Sequence, residues 1–278
     1  MTFEISTMGE VALGRVIGWA ADEGWNPGHS DAACFHAADE GGFLLGRLDG
    51  RAVASISAVR YSGTFAFIGL YIVVPDLRGR GLGHRMWTAA LERVAGDVVG
   101  LDGVVAQQAN YAASGFTLAH RNIRFGGHLA GHAHSNVVRL SREDLADVAA
   151  YDEACFGAAR PAFLRAWLGQ PGATAVGVRS GSGMSGYGVI RPSVDGFKIG
   201  PLFADDIDVA TAILDTLTSY SGRSATVYLD VPEPNGAGFD LAVGRGMSPV
   251  FETARMYRGG DPGLPLQRIF GITTFELG

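Results

Sequence analysis

From Arg51 to Tyr61, and again from Thr64 to Val74, β-branched and aromatic residues crowd the chain, with Ser62-Gly63 between the two runs. This predicts two antiparallel strands joined by a tight turn. Pro75 has no N–H to give to a ladder and stops the second strand. Beyond it the period changes. Leu82, Met86, Trp87, Ala90, Leu91 and Val94 recur at helical spacing, while His84, Arg85, Glu92 and Arg93 fall elsewhere. The stretch Arg78-Gly-Arg-Gly-Leu-Gly83 therefore sits between a strand end and a helix N-terminus. Far downstream, Ile269 to Phe275 reads as another strand, expected to complete a sheet and open to pairing with a neighbouring domain.

The pattern repeats. Asp31-Ala-Ala-Cys-Phe35 returns as Asp152-Glu-Ala-Cys-Phe156, and Gly50–Arg60 resembles Gly181–Arg191. Ile68-Gly-Leu matches Ile199-Gly-Pro, Leu101-Asp102 matches Leu229-Asp230, Gly115-Phe116 matches Gly246-Met247, and Arg124 matches Arg255. The anchors keep their order, which predicts two diverged copies of one fold, residues 1–127 and 139–278, with a connector at 128–138. The second copy is shorter between its matched anchors, in the interval that holds the glycine junction in the first. There it reads Ala204-Asp-Asp-Ile-Asp, with three carboxylates and no glycine. An anion attracted by the first copy would be repelled here.

Composition narrows the setting. The chain has 278 residues, 47% hydrophobic and 18% charged, with a formal net charge of −6. Such a chain forms real cores and lacks the basic surface that nucleic acid demands. No apolar run is long enough to span a bilayer, and Met1-Thr-Phe-Glu-Ile-Ser lacks the basic start of a secretion signal, so a cytoplasmic protein is expected, with neither membrane nor nucleic acid as partner. Cys34 and Cys155 occupy equivalent places in the two copies and are expected to be buried packing residues, unpaired. His128, His132 and His134 fall in a glycine-rich connector with no neighbouring carboxylate or cysteine in sequence, so no metal is expected.

The junction is where chemistry concentrates. Gly79, Gly81 and Gly83 allow successive N–H groups to face one concavity, the helix N-terminus adds partial positive charge, and Arg78 and Arg80 add whole charges. A phosphate or pyrophosphate suits that arrangement. The P-loop pattern is absent, and the glycines follow an antiparallel pair instead of opening a βαβ unit, which sets aside the dinucleotide fingerprint.

Val73-Val-Pro75 followed by Arg78-Gly-Arg-Gly-Leu-Gly83 resembles the acetyl-CoA-binding motif of the GNAT N-acetyltransferases, Val-x-Pro-x-x-Arg-Gly-x-Gly-x-Gly/Ala. The second copy resembles the degenerate GNAT-like domain of tandem members. The resemblance implies two tandem α+β folds, each a mixed, mostly antiparallel sheet flanked by helices. It implies that two parallel strands splay after Val74, that acetyl-CoA lies in the slot against Ile72, Val73 and Val74, and that its pyrophosphate rests on Arg78, Gly79, Arg80, Gly81, Leu82, Gly83 and His84. Tyr111, four residues before Gly115-Phe116, is implied as the acid that protonates the departing CoA thiolate; the second copy has Ala242 there.

Two departures stand out. Ile68-Gly-Leu-Tyr-Ile72 has no glutamate where many relatives carry their base, and Val104 replaces a frequent asparagine. Asp102 is a weak substitute base and reads better as a strand-end turn residue. For the acceptor, Trp25 among the carboxylates of Asp22-Glu-Gly-Trp-Asn-Pro-Gly-His-Ser-Asp31 offers a ring face and charge for an amine, and Tyr71 and Tyr61 are further lining candidates. The expected activity is acetyl transfer to a primary amine of a small molecule in a direct ternary complex. A protein amine, and a non-catalytic acyl-CoA sensor, remain alternatives, as do monomer and homodimer. The second copy is expected to wall off the acceptor side of the first.

Overall fold

The computed structural model describes residues 1–61, 64–181 and 183–278; the turn expected at Ser62-Gly63 lies outside the described residues. The first half runs β1 (Phe3–Thr7), α1 (Glu10–Asp22), α2 (Asp31–Ala38), β2 (Phe43–Leu48), β3 (Arg51–Arg60), β4 (Phe65–Val73), α3 (Leu82–Arg93), β5 (Val98–Val104), α4 (Gln108–Ala113) and β6 (Thr117–His128). The second half repeats it as β7 (Val137–Arg139), α5 (Leu145–Phe156), α6 (Pro161–Leu168), β8 (Thr174–Ser180), β9 (Gly183–Pro192), β10 (Phe197–Ala204), α7 (Ile207–Thr218), β11 (Thr226–Pro232), α8 (Gly236–Gly244) and β12 (Ser248–Arg258), and adds β13 (Ile269–Gly271).

The two expected sheets are one. Thirteen strands form a continuous sheet in the order β1-β2-β3-β4-β5-β12-β6-β11-β10-β9-β8-β7, with β13 on β10. That order reads the same from either end once each strand is exchanged for its repeat equivalent. The central pair is swapped: β12 of the second half lies between β5 and β6, and β6 of the first half pairs with β11. Among the described residues only β4–β5 and β10–β11 are parallel. Each half therefore completes its sheet with the last long strand of the other.

The swap is pinned by charge. Arg124 on β6 makes two hydrogen bonds to Asp230 on β11, at 2.7 and 2.8 Å, and Arg255 on β12 makes two to Asp102 on β5, at 2.9 and 2.6 Å. All four side chains are at most 5% exposed. Asp102 is thus not a turn residue: it lies inside β5, its carboxylate is engaged by Arg255, and it also accepts from Asn122 at 2.7 Å. Burial alone would raise the Asp230 carboxyl, yet the charge and hydrogen bonds of Arg124, with Lys198 and Arg191 nearby, hold it below the usual carboxylate range.

The connector is tied down as well. Gly126, Gly127 and His128 belong to β6, Leu129 is buried, and a side chain at Gly131 would collide with the Asp215 carbonyl at 2.0 Å. Cys34 and Cys155 are buried and unpaired, and burial pushes both thiols up to about 12.

Two outcomes follow from the exchange. A fragment ending at residue 135 loses both β11 and β12, leaving β6 without a partner and β5 paired with β4 alone. It should fail to unfold cooperatively, and a soluble fragment with a sharp thermal transition would contradict the fold. Asp230→Asn strands the Arg124 charge and should cost about 3–5 kcal/mol in urea unfolding at pH 7. Because the folded carboxyl titrates below the unfolded value of about 3.9, the stabilisation is complete above that pH and lost as pH falls through the folded value. The gap between parent and variant should therefore narrow toward pH 3.

Candidate acyl-transfer site

β4 pairs with β5 only from Phe65↔Val98 to Ile68↔Leu101. Beyond Ile68 a bulge in β4 shifts its register against β3 between Ser55 and Ser57, and Leu70 takes a φ of 46°, with the Ser55 hydroxyl donating to its carbonyl at 2.8 Å. The bulge turns β4 away from β5, and the strands enclose a cavity of about 460 Å³. Its walls include Ile72, Val73, Arg78, Gly79, Gly81, Gly83, His84 and Tyr111, together with the acceptor candidates Trp25 and Tyr71. Val74, Arg80, Leu82 and Tyr61 are not on them.

Backbone direction sorts the β4 residues. The Val74 N–H donates to Val53 at 3.0 Å and so faces β3. By strand alternation the Val73 N–H faces the slot, and its carbonyl does too, accepting from the Arg78 Nε at 2.8 Å. Val73 therefore offers the slot a backbone donor, and Val74 does not. Leu82 is buried in the core as the first residue of α3, so only its backbone is near the junction.

The glycines are required by geometry. Gly79 and Gly81 have φ of 75° and 77°, which side chains rarely tolerate, and Gly81 caps α3 without any side-chain hydrogen bond. A Cβ at Gly83 would lie 2.7 Å from the Tyr71 hydroxyl. The α3 N-terminus is left with free N–H groups and no acidic residue in its first turn. Arg78 differs from expectation: its guanidinium forms an ion pair with Glu23, so its charge is partly spent, and Glu23 is not free to hold a cationic acceptor.

Tyr111 sits at the opposite side of the slot on α4, 8% exposed, its ring 5.4 Å from Trp87, which is 5.6 Å from Tyr71. Burial, with some repulsion from Tyr71, pushes its phenol up to about 12, so it keeps its proton at neutral pH. Gly103 makes this placement possible, since a Cβ there would lie 2.2 Å from the ring. Tyr61 is elsewhere: it is buried in the core and donates to the Leu277 carbonyl at 2.8 Å.

The second half treats the same features in the opposite way. β10 and β11 also part, after Ile199↔Leu229, but β13 enters the gap, pairing with Leu202 and Phe203, and the Ile272 N–H donates to the Asp230 carbonyl at 2.9 Å. At the α7 N-terminus Asp206 accepts from the Val209 N–H at 2.9 Å, placing the protein's own carboxylate where the first half offers open N–H groups. Ala242, standing for Tyr111, is buried on α8. The strand expected at 269–275 thus closes its own half's slot with Ile269–Gly271.

A sequence model described as the acetyltransferase (GNAT) family matches residues 13–122, and one described as an acetyltransferase (GNAT) domain matches 148–271. The chain is 32% identical over 262 residues to a protein named holothin acyltransferase from Pseudoalteromonas sp. (strain SANK 73390), covering 94% of this chain and 89% of that one. The chain belongs to the GNAT acyltransferases. It is a tandem member, with one GNAT unit in each half. Its fold is shared by a crystal structure from Pyrococcus horikoshii described as a candidate acetyltransferase, with a TM-score of 0.86 at 23% identity over 99% of this chain and 96% of that one. The tandem GNAT protein from the clavulanic acid biosynthesis pathway has a TM-score of 0.64 at 15% identity, over 94% and 99%.

Four residues on the cavity wall of this GNAT protein were not legible as site residues: Phe251 and Thr253 on β12, and Phe275 and Glu276 beyond β13. All come from the second half. A signal did exist in Gly69 and its repeat equivalent Gly200, where a Cβ would lie 2.1 Å from the Glu276 carbonyl and 2.3 Å from the Thr273 carbonyl. Both glycines make room for one passing segment.

Of the connector histidines, His132 and His134 do meet a carboxylate, that of Asp215, with ligand atoms within 4.8 Å of one another. The Asp215 Oδ2 facing His134 at 3.4 Å also accepts from the Arg245 guanidinium at 2.8 Å, a cation placed where a metal's charge would be opposed. Among the described residues no helix is long and apolar enough to cross a membrane.

Gly103→Ala should displace the Tyr111 ring and reduce acyl transfer by about 10-fold or more, while Gly14→Ala, where nothing lies within 4 Å, leaves it unchanged. Equal activity of the two variants in a thiol-release assay would show that the ring position does not matter.

Proposed function

We propose that this chain is an N-acetyltransferase that moves the acetyl group of acetyl-CoA to an amine of a small molecule by direct attack in a ternary complex. The observation that carries the reading is the contrast between the two splayed strand pairs: one slot is filled by β13, the other is open and bordered by a glycine cradle and a protonated tyrosine. Pantetheine is an extended chain with amide groups, and the edge of β4 past Ile68 has strand backbone with no β5 partner to receive it. The pyrophosphate fits the α3 N-terminus, where Gly79, Gly81 and Gly83 leave backbone N–H groups uncovered.

The chemistry then follows. The acceptor nitrogen attacks the thioester carbon, the oxyanion draws on the Val73 N–H, and the C–S bond breaks as Tyr111 gives its proton to sulfur. The far wall, with Trp25, Phe251 and Phe275, is aromatic, and its nearest cation, Arg124, is turned onto Asp230. This suits a flat, compact acceptor in preference to a peptide, and the relative's name makes holothin the first acceptor to try. Phe251, Thr253 and Phe275 come from the second half, which supports the view that it shapes acceptor choice.

Calorimetric titration with acetyl-CoA should give one site per chain, weakened at least 10-fold by Gly81→Asp, which puts a carboxylate into the cradle. Two sites, or none, would overturn the reading. With acetyl-CoA and holothin, Tyr111→Phe should lower kcat by about 10²-fold with acetyl-CoA affinity unchanged. Unchanged turnover would remove the tyrosine from its role.

A further inference from the structure

The attacking nitrogen must lose a proton, and β4 carries no carboxylate between Ile68 and Ile72 to take it. Three carboxylate side chains belong to residues on the cavity wall: Glu23, Asp102 and Glu276. Glu23 is paired with Arg78. Asp102 is gripped by Arg255 through both oxygens and also accepts from Asn122. Glu276 is 2% exposed, and neither of its carboxylate oxygens has a hydrogen-bond partner. Such a group is costly to bury, because its lost hydration is not replaced. Among the described residues it is the wall carboxylate that accepts no hydrogen bond on either oxygen.

Its position is set by the segment that follows β13. Having closed the second slot, the chain passes Gly200 and then presses its Glu276 carbonyl against Gly69, at the bulge where β4 leaves β5. Tyr61 holds the next residue through the Leu277 carbonyl at 2.8 Å, and the Leu277 N–H donates to Thr274 at 3.0 Å. The chain is thus anchored at the residue that follows Glu276. The charged groups facing it are Arg124, which is committed to Asp230, and Lys198, whose ammonium is buried without a hydrogen-bond partner and is pulled down to about 8 by burial and by Arg124.

Resting on the acetyltransfer reading above, we propose that Glu276 is the general base of this site, supplied by the second half to a slot in the first. As the N–C bond forms, the acceptor nitrogen gives one proton to the Glu276 carboxylate, whose oxygens are closed to water in the free protein, so that the side chain swings into the slot for this step. As the C–S bond breaks, Tyr111 gives one proton to the thiolate. The proton on Glu276 then returns through solvent to the phenolate, so that amine and acetyl-CoA leave as amide and free thiol with no net change in protons. The missing strand carboxylate is replaced by that of a residue whose backbone meets the same bulge from the other half.

The test measures thiol release from acetyl-CoA with holothin, and acetyl-CoA binding by calorimetry, on the full chain. Glu276→Gln should keep acetyl-CoA affinity within about twofold and lower kcat about 10²-fold, with Glu276→Asp recovering part of the loss. Were Glu276 present only to balance Lys198, the double variant Lys198→Met with Glu276→Gln would recover the parent rate; the proposal predicts that it does not. Parent-like kcat in Glu276→Gln, or recovery in the double variant, overturns the assignment while leaving acetyl transfer intact. A parent protein that binds acetyl-CoA but releases no thiol with holothin overturns the acceptor reading and this role with it, and one that does not bind acetyl-CoA overturns the acetyltransferase reading itself.

Discussion

The molecule depends on the exchange of β6 and β12 and on the two arginines that those strands carry across. Arg124 and Arg255 each leave their own half to meet an aspartate in the other, and both pairs are buried with two hydrogen bonds apiece. Dehydrating such pairs is expensive, and apolar residues of similar size would often be as stable. What the pairs supply is register. A strand that slips by one residue turns its arginine to the wrong face and leaves a buried carboxylate alone, so the charge pattern selects a single arrangement of a very long sheet. With that arrangement fixed, β12 forms one wall of the slot in the first half, and Phe251 and Thr253 come to line it.

The segment from β13 onward has opposite effects at two equivalent places. In the second half it fills the gap between diverging parallel strands and satisfies their backbone; in the first it stops at the rim and leaves the gap open. The helix termini follow suit, with the Asp206 carboxylate capping α7 and no side chain capping α3. A duplicated fold has thus become asymmetric through a few residues. The open slot keeps free N–H groups, a tyrosine that burial holds protonated, and a wall borrowed from its degenerate twin.

How much of this was legible in the sequence depends on distance along the chain. The strand, glycine junction and helix from Arg51 to Val94 are dictated by local period and backbone freedom, and they stand close to where the residues put them. Tyr111 fell on the cavity wall for a similar reason, being tied to Gly115-Phe116 a few residues on. The strand exchange was not legible. Arg124 and Asp230 lie 106 residues apart and Arg255 and Asp102 lie 153 apart, and although all four were repeat anchors, periodicity does not say which half an anchor pairs with. Asp102 was misread for that reason, because a carboxylate in a short strand looks like a turn residue until its arginine arrives from elsewhere. Glu276 was hidden in the same way, and Arg78 looked free because Glu23 is far from it in sequence.

Only one of the two equivalent slots should accept an acyl-CoA, with residues of both halves around the acyl group there. A crystal structure of the full chain with acetyl-CoA bound tests it most directly. Pantetheine is expected between β4 and β5, pyrophosphate on Gly79 to Gly83, the thioester facing Tyr111, and β13 still seated between β10 and β11. A ligand lodged between β10 and β11 with β13 displaced, or an acetyl group pointing away from Tyr111, would contradict it.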